Sequence, residues 1–210
     1  MSARNIKKSY LSSTGYFKSF KNDRQIAFES ILERNFFLVL EFNNQVIQYE
    51  EQPITIYHQN NCGEKRKYTP DALVTYFDNT QKLIEVKYDD ELQNKEEVRE
   101  KLSLAKVHIN ENLNLDLEIF TDKNLDSIYL DNLKFLYKFV FIPVDSQKSL
   151  TISDTIQTYK PASIKQLLSH IDSNQLMQLQ YIPYLWNYIF HNMYLIDPYK
   201  KLTMSTEFQY

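Results

Sequence analysis

Two short runs with strand chemistry, residues 71–77 and 82–88, are joined by Asp78-Asn79-Thr80-Gln81, a link made of turn-forming residues. So short a link makes the middle of the chain a hairpin. Residues two apart in a strand share a face, so Glu85 and Lys87 project to one side while Ile84 and Val86 go to the other. The hairpin partner sets Asp71 beside them, near the open end of the sheet. Two carboxylates and one ammonium then converge on one spot. Metal-assisted phosphodiester hydrolysis uses that combination: hard oxygen ligands for a divalent ion, and a cation beside the attacking water. An amphipathic hairpin with solvated charges has the same spacing, so the spacing alone leaves both readings open.

Composition narrows the choice. The chain has 210 residues, enough for one domain of ordinary size or two small ones, and its 43% hydrophobic content is ample for a core. With only 2 Gly there is no glycine-rich loop to cradle a phosphate, which argues against P-loop and dinucleotide-binding enzymes. A single cysteine, Cys62, excludes an internal disulfide framework and a thiolate-rich zinc site, and fits a reducing cytoplasm. The histidines, His58, His108, His170 and His191, are scattered without ligand spacing and read as structural. No apolar run reaches membrane-spanning length and no secretory segment opens the chain, so no membrane association is expected.

The net charge of −3 does not advertise a nucleic-acid partner, and its distribution is more informative than the sum. Residues 1–23 form a basic N-terminal arm with Arg4, Lys7, Lys8, Lys18 and Lys21, and Arg24 borders it; Asp23 is the opposing charge. Tyr10, Tyr16, Phe17 and Phe20 are interleaved, as in an arm that tracks phosphates; a solvated tail is the alternative. A second basic cluster, Lys65-Arg66-Lys67, lies just ahead of Asp71, where an incoming phosphate backbone would pass.

Taken in order, residues 24–42 predict a helix whose apolar second half is buried, with Ile26, Glu33, Phe37 and Leu40 on one stripe. Glu is rarely buried without a partner, so Glu33 on that stripe implies a metal or a positive charge nearby, with Glu29 as the rival one turn earlier; a surface-edge Glu paired with Arg34 or a neighbour is the alternative. Residues 45–51 and 54–59 alternate as two short strands, or one bent strand, around Gln52-Pro53. A charged helix over 90–110 follows, with Val98, Leu102, Ala105 and Ile109 inward, then a strand at 117–120 and a helix at 130–139. This order predicts an α/β core closing near Phe141. Beyond a linker at 143–147, helices are expected at 153–159, 163–171 and 175–193, and residues 194–210 have the alternation of a short β-wing. Tyr181, Tyr184, Trp186, Tyr188 and Phe190 read as core or as a protein-docking face.

Pro70-Asp71, followed by Glu85-Val86-Lys87 on the next strand, resembles the PD-(D/E)XK nuclease signature. Ser30-Ile31-Leu32-Glu33, Leu40-Glu41-Phe42, Val46, Glu51-Gln52-Pro53, Tyr68-Thr69-Pro70-Asp71, Leu83-Ile84-Glu85-Val86-Lys87 and Ile119-Phe120-Thr121-Asp122 also occur in order. Together they resemble the N-terminal domain of TnsA, the endonuclease subunit of heteromeric cut-and-paste transposases. The resemblance implies a restriction-endonuclease-like α/β fold, a mixed sheet flanked by helices, over 24–142. A small, mainly helical winged-helix-like domain over 149–210 is also implied.

The resemblance further implies double-strand DNA cleavage dependent on Mg²⁺, with Mn²⁺ as a substitute, at the 5′ ends of the transposon. By the same resemblance Glu33, Asp71, Glu85 and Lys87 are the active-site residues. Asp71, Glu85 and Glu33 would serve the metal with the Val86 carbonyl, and Lys87 would orient the water. Some family members carry Gln where Glu85 stands. Expected partners are double-stranded DNA, a DDE-type transposase (TnsB-like) and an AAA+ ATPase regulator (TnsC-like), in a bacterial cytoplasm and on the nucleoid when assembled. Lys7, Lys8, Lys18, Lys21, Arg24, Lys65, Arg66 and Lys67 are the expected DNA contacts. A stand-alone restriction or defence nuclease, a Holliday-junction or repair nuclease and a non-catalytic scaffold subunit are the rival readings.

Overall fold

The chain enters the computed structural model, which describes residues 13–59 and 63–210, as a hairpin rather than a helix. Gly15–Ser19 (β1) pairs antiparallel with Arg24–Phe28 (β2), Gly15 opposite Phe28. A Cβ at Gly15 would meet Phe28 Cζ at 2.6 Å, so a residue with no side chain lets the ring close over the strand. Ser30 then ends the extended chain. Its Oγ accepts from Glu33 N at 3.1 Å, while a Glu33 carboxylate oxygen accepts from Glu29 N at 2.8 Å, a variant of the capping box. The helix α1 is therefore Ile31–Phe42, and residues 24–28, expected as its first turn, are strand. Its second half is buried as expected, with Phe36, Phe37, Leu40 and Phe42 all at most 8% exposed.

Val46–Glu51 (β3) follows and, after a break at Gln52 (φ 45) and Pro53, Ile56–Gln59 (β4) pairs with Lys65–Tyr68 (β5) as a separate two-stranded ribbon. The expected hairpin is Ala72–Tyr76 (β6) with Gln81–Val86 (β7), Ala72 opposite Ile84. Its turn has the chemistry its composition promises: Asn79 is left-handed (φ 64), and Asp78 Oδ1 accepts from Thr80 N and Oγ1 at 3.0 and 2.6 Å. Two helices, Asp89–Asn94 (α2) and Glu96–Leu113 (α3), replace the single one expected, parting at Lys95, and Asp116–Phe120 (β8) then runs parallel to β7. The result is a four-stranded mixed sheet in the order β3-β6-β7-β8, an α/β arrangement consistent with a restriction-endonuclease-like fold.

Alternation along the strands divides the core between two faces. Ala72, Val74, Ile84 and Val86 pack with Leu32, Phe36, Phe37 and Leu40 of α1. Leu83 and Leu117 pack on the other face with Leu102, Ala105 and Ile109 of α3 and with Ile56 and Tyr68 of the ribbon. The face that carries Leu83 also carries Glu85 and Lys87.

The chain divides into two compact units between Leu125 and Asp126. The second is helical: Ser127–Leu136 (α4), Ser146–Tyr159 (α5), Ile164–Ile171 (α6) and Gln175–His191 (α7). Asp126, Asp145, Ser163 and Asn174 cap the four N-termini. With Asp145 as a cap, α5 begins inside the stretch expected as a linker. Leu133, Leu136, Ile152, Ile164, Leu167, Leu185 and Ile189 are fully buried. Trp186 and Phe190 are also buried, the Trp186 ring edge-on to Phe135 with centroids 4.9 Å apart. The expected β-wing is reduced. Residues 194–210 make one bridge, Ser163 to Glu207, and no hairpin. Backbone polar groups there go elsewhere: Asn132 donates to the Pro198 and Lys200 carbonyls and accepts from Leu202 N. Among the described residues no helix is long and apolar enough to cross a membrane.

Candidate active site

Ala72 pairs with Ile84, so the next step along the hairpin puts Asp71 across from Glu85. The polar groups there are tightly engaged. Asp71 Oδ2 accepts from Val86 N at 2.7 Å, and the Asp71 carbonyl accepts from Gln52 N at 2.9 Å. Glu85, 4% exposed, accepts from the Tyr68 hydroxyl at 2.7 Å on one oxygen and from Lys87 Nζ at 2.8 Å on the other. Lys87 Nζ also lies 3.7 Å from Asp71 and donates to the Val86 carbonyl at 3.2 Å. The structure thus brings Asp71, Glu85, Val86 and Lys87 together.

Glu33, whose carboxylate accepts from Glu29 N at 2.8 Å, meets them only electrostatically. Burial raises its pKa while the Lys87 ammonium lowers it, and Glu33 in turn raises that of Asp71. Glu29, the rival, sits outside the helix at the end of β2, where Gln52 Nε2 reaches its carboxylate at 3.4 Å. Burial, with Glu85 beside it, pushes Asp71 up to about 7. Burial would lower Lys87, but Asp71, Glu85 and Glu33 outweigh it and the ammonium is held charged. Asp71 and Glu85 therefore share one cation, an arrangement short of positive charge.

Sequence reasoning assigned no role to Tyr68. It is 1% exposed, and burial with the neighbouring Glu85 drives its phenol far above the ordinary value, so it stays a proton donor. The signal was an aromatic hydroxyl at the end of the strand leading into Thr69-Pro70-Asp71. Tyr68→Phe should slow any reaction at this site about tenfold, about 1.4 kcal/mol, and lower melting by a few degrees because buried Glu85 loses a donor. An unchanged rate would mean that the hydroxyl does not orient Glu85.

The expected DNA contacts are scattered. Lys7 and Lys8 lie outside the described residues, as does Cys62. Lys21 departs from expectation. Its ammonium donates to the Asn43 carbonyl at 2.7 Å and to the Val46 carbonyl, and burial lowers its pKa while Glu41 raises it. It is committed to the fold, holding β1 against the end of α1. Arg24 is paired with Glu51 through two hydrogen bonds, and Arg66 with Glu64. Lys18, Lys65 and Lys67 are exposed. A cavity of about 1080 Å³ is lined by Arg24, Glu29, Tyr49, Glu51 and Gln52 among others, and by none of Glu33, Asp71, Glu85 or Lys87.

Among the described residues no group of three His, Cys, Asp or Glu side chains is placed to hold a metal ion, and Asp71 and Glu85 are instead bridged by Lys87. The donor set nevertheless suits a hard divalent cation: carboxylate oxygens with a deficit of positive charge and a backbone carbonyl at their edge. Two comparisons bear on this site. Residues 43–122 match the family model described as "TnsA-like endonuclease N terminal", a span that runs from the end of α1 to just past β8 and includes Asp71, Glu85 and Lys87. The resemblance read from the motifs is borne out there, and it points to a nuclease. No curated protein matches the chain.

Proposed function

We propose that the chain is the endonuclease subunit of a heteromeric cut-and-paste transposase, hydrolysing a phosphodiester at the 5′ ends of the transposon in double-stranded DNA. The observation that carries the reading is the convergence of Asp71, Glu85 and Lys87 within the span that matches the TnsA-like family. Asp71, Glu85 and Glu33, with the Val86 carbonyl, would hold Mg²⁺ or Mn²⁺. When bound, such an ion supplies Lewis-acid stabilisation of negative charge on phosphate oxygens. The chain's own groups do the rest. Val86 N fixes Asp71, Tyr68 fixes Glu85, and the Lys87 ammonium orients the attacking water and stabilises charge developing on the phosphorane. No covalent intermediate is needed.

The second unit is assigned as a degenerate winged-helix domain. Its order α5, bridge residue Ser163, α6, α7 and returning Glu207 supports this. Its role is to dock the nuclease on partners: a DDE-type transposase that reads the ends and an AAA+ ATPase that regulates target choice, in the bacterial cytoplasm.

The test mixes the full chain with the transposase and ATPase of its element on plasmid DNA carrying the ends. Cutting should require Mg²⁺ and the transposase, and chelation should abolish it. Specific cutting by the chain alone would favour a stand-alone nuclease. No 5′ cut in the complete mixture would overturn the proposal and favour the scaffold or a nuclease with a different substrate.

A further inference from the structure

The β4–β5 ribbon has two unlike faces. Ile56 pairs with Tyr68, both at most 5% exposed and packed against α3, while the adjacent pairs Tyr57 with Lys67 and Gln59 with Lys65 face the other way. All four of these outward residues are exposed, Tyr57 by 69%. The neighbouring carboxylate of Glu64 is paired with Arg66, which lies on the opposite face by alternation. In a chain of net charge −3, the outward face therefore presents two lysines flanking an exposed aromatic ring and an amide.

We propose that this outer face, Tyr57, Gln59, Lys65 and Lys67, is laid into the major groove of the duplex beside the phosphodiester to be cut. The proposal rests on the nuclease reading of the site above and names the element that seats its substrate. A two-stranded ribbon fits a major groove about 12 Å wide. Lysines at the groove walls neutralise phosphates, Gln59 can hydrogen-bond base edges, and the Tyr57 ring supplies apolar contact to sugars and thymine methyls.

The connection to the active site is covalent and short. Tyr68 ends β5 and donates to Glu85, and Asp71 is three residues further on. At about 3.3 Å per residue the chain from Lys65 to Asp71 spans at most about 20 Å, less than one turn of duplex at about 34 Å. A ribbon seated in the groove is therefore held within one turn of the cut.

The experiment measures binding of the full chain to a short labelled duplex by anisotropy, in Ca²⁺ to suppress cutting, from low to physiological salt. Lys65→Ala/Lys67→Ala should weaken binding at low salt about tenfold and reduce the salt slope by about two, one for each lost phosphate contact. Tyr57→Ala should weaken binding without changing the slope, and Tyr57→Phe should restore it. These side chains are exposed, so melting should match wild type in every case. The proposal is overturned if wild type does not bind duplex at low salt, or if the lysine variant keeps wild-type affinity and slope. It is also overturned if wild type prefers RNA of the same sequence.

Cleavage separates the two readings. Cutting by wild type with ribbon variants that bind and cut normally removes the ribbon proposal alone. Binding lost in the ribbon variants of a chain that never cuts removes the nuclease reading and leaves the ribbon as a duplex-binding face.

Discussion

Asp71→Ala is expected to reduce DNA cleavage by the assembled complex at least about a thousandfold, a loss of several kcal/mol of stabilisation that appears only when charge builds on the phosphate. The fold should survive it. Asp71 is destabilised as an anion, with its pKa raised to about 7 by burial and by Glu85 alongside. At neutral pH or above, without a metal, removing that carboxylate also removes repulsion, so melting should be no lower than in wild type. Binding to the transposase and to duplex should also persist, which separates lost chemistry from lost assembly. A folded Asp71→Ala protein that cuts at the wild-type rate would falsify the assignment of this site.

Glu41→Ala is expected to give the largest loss of stability. Glu41 is 3% exposed and sits at the hub of a buried polar cluster. It accepts from Ser19 Oγ at 2.6 Å, Phe20 N at 3.0 Å, Lys21 N at 3.1 Å and the Tyr49 hydroxyl at 2.5 Å. Those bonds tie the β1–β2 hairpin to α1 and to β3. Truncation leaves the Ser19 and Tyr49 hydroxyls and the Phe20 and Lys21 backbone N–H groups without their acceptor, and the half-buried Lys21 ammonium without its nearby counter-charge, costing about 3 kcal/mol or more. The first unit should then melt about 10 °C lower. Thermal unfolding followed by circular dichroism checks it, and a shift within about a degree would mean that the cluster re-pairs with water at little cost.

The hairpin that carries the site was legible in the sequence because each of its signals is local. Asp78-Asn79-Thr80 can close only a tight turn, and alternation with period two sends Glu85 and Lys87 to one face and Ile84 and Val86 to the other. The buried stripe of α3 was legible for the same reason, since Leu102, Ala105 and Ile109 repeat at helical spacing.

The start of α1 was misread. Residues 24–28 carry an apolar pattern that suits either period, and what decides between them is the pairing of Ile26 with Phe17 across β1, together with the Ser30 cap. Likewise the alternation of residues 194–210 is compatible with a wing. Asn132, from a helix far away in sequence, takes the backbone groups that a wing would have paired.

Local sequence therefore determined which residue types stand at the sheet end and on which face. Tertiary structure alone decided which of the basic residues remain available. Lys21 and Arg24 look identical to Lys65 and Lys67 in a list of charges, yet the first two are bound to partners more than twenty positions away, on Asn43, Val46 and Glu51. The physical reason is range. Turn chemistry and strand or helix period act over a few residues and can be read from neighbours, whereas desolvation and charge pairing depend on which distant segments the fold brings together.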